Sequence, residues 1–114
     1  MKNIILLLML VIGISSCGTA LQKKSLQVEP GMTKDDVVKI MGYPGNKQFK
    51  GVSEAWQYCS TGIGSDRYYV VWFTNSSVTG MTTYSGYESG MCDKFYRTVN
   101  WEDRPNKTIE IRNR

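Results

Sequence analysis

The run Tyr68-Tyr-Val-Val-Trp-Phe73 narrows the folds open to this chain more than any other segment, because every position in it is aromatic or β-branched. Such residues favour a pleated strand. Successive strand side chains point to opposite faces, so Tyr68, Val70 and Trp72 share one face and Tyr69, Val71 and Phe73 the other. A sheet with helices on one side only needs apolar residues on that side alone, so this strand predicts cover on both. The pattern predicts strands near Glu54 to Ser60, Arg67 to Thr74 and Ser77 to Tyr84. The connections Thr61 to Asp66 and Asn75-Ser76 are short enough to impose antiparallel pairing, which makes a meander. Tyr69, Val71 and Phe73 are the more aliphatic set and are expected to meet a helix. Tyr68 and Trp72, on the other face, meet either the C-terminal segment through Phe95, Tyr96 and Trp101 or a partner protein. Large aromatics with polar tips are common interface anchors, so Tyr68 and Trp72 are the candidate partner surface, with Trp72 or a neighbouring Tyr expected to be partly exposed in the isolated domain.

The helix is predicted between Met32 and Pro44. Thr33 caps its first turn and Asp36 reaches back to complete a capping box, with Met32 and Val37 placed as a hydrophobic staple. Gly42 supplies a left-handed stop and Pro44 forbids continuation. Val37, Ile40 and Met41, with Val38 beside them, form the stripe that faces the sheet. Before it, residues 18 to 29 read as a tether, with Leu21, Leu26 and Val28 able to pack locally. Thr108 to Ile111 has the pattern of a short extra strand.

The chain opens with Lys2 and an apolar run from Ile4 to Ile14, then Ser15, Ser16 and Cys17. This run is about half the roughly 20 residues that a membrane-spanning helix needs, and it ends on small residues, as a secretory signal does. Ile14-Ser-Ser-Cys17 resembles the bacterial lipobox. That resemblance implies a diacylglycerol on the Cys17 thiol, removal of residues 1 to 16, and acylation of the new amino group. The other reading is an ordinary secreted protein in which Cys17 is incidental. Residues 17 to 114, 98 in all, make one small domain plus a tether. Domains of that size often carry a covalent staple. With Cys17 lipidated, Cys59 and Cys92 remain as an even pair in an oxidising compartment and read as a disulfide, the alternative being two buried free thiols.

The formal charge of +4, or +3 without Lys2, is a weak excess, and the basic residues are scattered. No nucleic-acid stripe is evident. The chain has no histidine and no Gly-x-Ser-x-Gly elbow, and its cysteines lack redox-catalyst spacing. Gly62-Ile-Gly64 lies between two strands and reads as a hairpin loop rather than a phosphate loop. No enzymatic activity, cofactor or metal is expected.

Gly31-Met-Thr-Lys-Asp-Asp-Val37, Gly42-Tyr-Pro44, Glu54-Ala-Trp-Gln-Tyr58 and Trp72-Phe-Thr-Asn-Ser-Ser-Val-Thr79 occur in the order that resembles the BamE family, also called the small protein A and outer membrane lipoprotein A family. The resemblance implies an α+β fold, two short N-terminal helices on a three-stranded antiparallel meander, in an outer-membrane lipoprotein facing the periplasm. It divides the chain into a signal peptide (1–16), a lipidated tether (17–29), the domain (30–90) and a C-terminal extension tied by the disulfide (91–114). The cysteine pair is similar to that of the osmotically inducible lipoprotein E branch. The expected role is non-enzymatic support of outer-membrane protein assembly or of envelope integrity. Its partners would be membrane lipid through acylated Cys17 and an envelope protein such as the barrel-assembly machinery. The alternative is a binding or inhibitory module, since the architecture also resembles protein inhibitors of β-lactamases, which grip an enzyme through an aromatic sheet face.

Overall fold

The computed structural model describes residues 20–92, 94 and 96–105. Cys17 and the leader, Phe95, and the strand expected at Thr108 to Ile111 lie outside the described residues. Helices α1 (Ala20–Ser25) and α2 (Lys34–Met41) precede strands β1 (Asn46–Lys50), β2 (Ser53–Thr61), β3 (Asp66–Thr74) and β4 (Ser77–Ser85), followed by a 3₁₀ turn, Trp101–Asp103. The strands form one antiparallel sheet in the order β1-β2-β3-β4.

The sheet therefore has four strands, not the three expected. The additional strand, β1, reads Asn-Lys-Gln-Phe-Lys, and it lies at an edge with Phe49 mostly exposed. A short polar edge strand carries little hydrophobic alternation, and its lysines are the means by which edges avoid aggregation. The Gly51-Val52 turn joins it to β2, with Gly51 at φ +60°. The turn between β3 and β4 has Asn75 at φ +50° and Ser76 at φ +68°, the two left-handed positions of a type I′ hairpin.

The α2 boundaries follow from its caps. Thr33 Oγ1 accepts from the Asp36 N–H and Asp36 Oδ2 accepts from the Thr33 N–H, both at 3.1 Å. Gly42, at φ +81°, donates its N–H to the Val38 carbonyl at 2.8 Å. The backbone and side-chain hydrogen bonds from Thr33 hold the Asp36 carboxyl below its ordinary value. Thr33→Ala is expected to cost about 1 kcal/mol in denaturant unfolding. An unchanged midpoint would contradict the cap. The segment expected as a tether contains α1, which packs on α2, and Leu21 and Val28 rest against the core. Six residues are too few for a helical period to show in the sequence.

Two cores lie on opposite faces of the sheet. Val37 and Met41 of α2 pack on Trp56, Tyr58, Tyr69, Val71, Phe73 and Val78, so the odd-numbered residues of β3 face the helices as expected. The Trp56 and Phe73 rings meet at 4.6 Å. Glu54 joins the layers, pairing with Lys34 and accepting from Trp56 Nε1. The other core contains Ala55, Val70, Trp72 and Val99, with Tyr84 and Trp101 beside them.

Candidate functional site

The second core exists because the chain returns after β4 as a strap, residues 96–105, across the sheet face opposite the helices. The strap adds no strand to the sheet ladder, so its backbone groups need side-chain partners. Two glutamines supply them. Gln48 Nε2 and Gln57 Nε2 each donate to the Arg97 carbonyl at 2.7 Å, and Gln48 Oε1 accepts from the Val99 N–H at 2.9 Å. Both amides also donate to Asn46 Oδ1, while the Tyr84 hydroxyl donates to Gln57 Oε1 and accepts from the Arg97 N–H. Gln57 is fully buried, and every polar atom of its side chain is used.

Aromatic contacts carry the strap onward. Trp101 sits edge-on to Trp72 with centroids 5.8 Å apart, and Trp72 Nε1 donates to Thr82 Oγ1 at 2.8 Å. Tyr84 stacks on Tyr68 at 4.5 Å, Tyr96 meets Tyr68 edge-on, and the Arg97 guanidinium lies 4.5 Å above the Tyr84 ring. Arg104 donates to Ser53 Oγ at 3.0 Å. Two glycines allow the closest approaches. A Cβ on Gly45 would collide with the Tyr96 hydroxyl, and one on Gly80 would lie 2.6 Å from the Pro105 ring.

A covalent knot fixes the strap's origin. Cys59 and Cys92 are joined, with Cα atoms 5.5 Å apart. Asp66, 1% exposed, accepts from the Gly90 and Met91 N–H groups at 2.8 and 2.6 Å, so the segment entering Cys92 hangs on one carboxylate. Cys59, Asp66 and Cys92 bring their donor atoms within 4.8 Å of one another. Metal binding needs thiolates, and these sulfurs are bonded to each other, so the group acts as a structural tie.

Tyr68 and Trp72 are 1% and 2% exposed, which overturns the expectation that they form a partner surface. The strap buries them, the first of the two covers expected for that face. Gln48, Gln57, Gly45 and Gly80 were not anticipated. A glycine inside a strand is itself a sign of close approach by another segment, and Gly80 had that signal.

Burial pushes the Tyr58 phenol up. It does the same for Tyr68, where the Asp66 charge adds to it and Arg97 opposes it, and for Tyr84, where the Arg97 N–H opposes it. A phenol whose folded value exceeds its unfolded value contributes stability that is present below about pH 10 and lost as pH rises past the folded value. Phenolate absorbance should therefore rise in two phases, the later one coinciding with loss of near-ultraviolet circular dichroism. A single phase with the fold retained would count against this arrangement.

The family model described as "Outer membrane protein assembly factor BamE domain" matches residues 18–82. The strap and Cys92 fall beyond that span. No curated protein matches the chain. A solved structure described as the putative osmotically inducible lipoprotein OsmE is 23% identical, with 66% of this chain and 81% of that one covered at a TM-score of 0.45.

Proposed function

Because the chain belongs to the family of outer membrane protein assembly factor BamE domains, we propose that it is a non-enzymatic lipoprotein of the outer membrane, anchored through acylated Cys17 and facing the periplasm. There it supports outer-membrane protein assembly or the integrity of the envelope by binding a protein partner. The observation that carries this reading is the family match over residues 18–82, which takes in α1, α2 and the sheet into β4. The lipobox supports the anchor. One stable acylated cysteine supplies more than one chain, which is what lasting membrane attachment requires. The domain organisation of signal peptide, anchor, domain and disulfide-tied extension belongs to the same proposal, with α1 already part of the folded unit.

An inhibitor that grips an enzyme through an aromatic sheet face would need Tyr68 and Trp72, and the strap occupies that face. We put the partner surface on the loops instead. Ile63 and Tyr87 are exposed at 107% and 95%, on two turns that Ser89 Oγ ties together by donating to the Gly62 carbonyl. Capture of the tagged chain from solubilised membranes tests the reading. Barrel-assembly components in the eluate, reduced in Ile63→Asp, are expected, and a single soluble hydrolase would contradict it.

A further inference from the structure

The two edges of the sheet are treated differently by the sequence. β1 carries Lys47 and Lys50 among five residues, whereas Ser77–Ser85 contains no charge and no proline. Uncharged edge strands are templates for pairing with another chain.

Part of the β4 edge already takes up extended backbone. Gly31 donates to the Val78 carbonyl at 2.7 Å and Val78 donates to the Met32 carbonyl at 2.9 Å. The bulge between Trp72 and Phe73 then shifts the phase of the ladder by one residue. Gly86 donates to the Asp66 carbonyl. Alternation in an antiparallel pair therefore turns Tyr84 and Thr82 toward β3, and turns the N–H and C=O groups of Met81, Thr83 and Ser85 outward. Among the described residues no strand pairs with these three. Thr83 and Ser85 are exposed.

We infer that the β4 edge from Met81 to Ser85 is a self-association surface, on which a second copy of this chain pairs antiparallel about a two-fold axis at Thr83. That register sets Thr83 opposite Thr83, Thr82 opposite Tyr84 and Met81 opposite Ser85. The outward groups of each copy then satisfy those of the other. Threonine pairs are favourable cross-strand neighbours, and no like charges meet. The same operation on β1 would gather four lysines, two from each copy. The stretch also contains no charged residue with which to select a different strand, and an isologous contact needs only a self-complementary patch. The inference stands apart from the proposed function, since it concerns copies of this chain and not a captured partner.

The test places Thr83→Cys in the full chain in cells and adds a short bis-maleimide. Cys59 and Cys92 are bonded to each other and do not react, and the unsubstituted chain, treated in parallel, shows any crosslink that runs through Cys17. A crosslinked band at twice the monomer mass is expected for Thr83→Cys and not for Lys47→Cys on the opposite edge. Two differently tagged copies should co-purify as wild type and as Thr83→Val, and lose that association as Thr83→Lys, with unchanged melting temperature because the residue is exposed. Absence of the doubled band overturns the inference, as does a band of different mass, which would put another polypeptide on this edge, or equal doubling from Lys47→Cys.

Discussion

Trp72→Ala is expected to destabilise the domain by about 3 to 5 kcal/mol, the range for removing a large buried aromatic. The residue is 2% exposed and touches Trp101 of the strap, and its indole N–H satisfies Thr82. Its loss opens a cavity between sheet and strap and leaves a hydroxyl without its donor. For a domain of this size each kcal/mol shifts the melting temperature by about 4 to 8 °C, so the change should exceed about 10 °C. A surface aromatic held for a partner would behave differently, changing stability by no more than about 0.5 kcal/mol. A small shift in thermal denaturation would therefore restore Trp72 to the partner surface.

Replacing both Cys59 and Cys92 by serine should have a similar effect through a different cause. The bond spans 33 residues, and the chain-entropy account assigns such a loop roughly 3 to 4 kcal/mol. Asp66 still holds Gly90 and Met91 in the variant, so the sheet should survive while the strap loosens. Hydrogen exchange at the Arg97 and Val99 amides, which bond to Tyr84 and Gln48, should accelerate more than exchange within β2 and β3. Melting unchanged from the wild type would mean that the bond adds nothing to the hydrogen-bonded knot.

The central strand and the capped helix were legible because several local signals agreed at each. The six-residue apolar run fixed the central place of β3, and Thr33, Asp36 and Gly42 each sit where cap chemistry needs them. β1 was hidden because an edge strand protected by lysines has no apolar period to detect. The resemblance implied two short helices, and the structure has both, but α1 is too short for its own residues to mark its place within the expected tether. The strap is harder still, since it has no repeating structure and its partners are side-chain amides far away in sequence. Gln57 in a strand of aromatic neighbours and Gly80 within β4 were the available hints. The candidate partner residues failed for the same reason. Aromatic side chains on a sheet face look alike in sequence whether a partner covers them or the chain does.

The proposed function depends on Cys17, since it requires the domain to be carried to the membrane. Cells expressing the wild type and Cys17→Ser should be labelled with a fatty-acid analogue and fractionated. Label is expected on the wild-type chain in the outer-membrane fraction, and an unlabelled chain lost from that fraction in the variant. Label persisting on Cys17→Ser, or an unlabelled wild-type chain free in the periplasm, would contradict it.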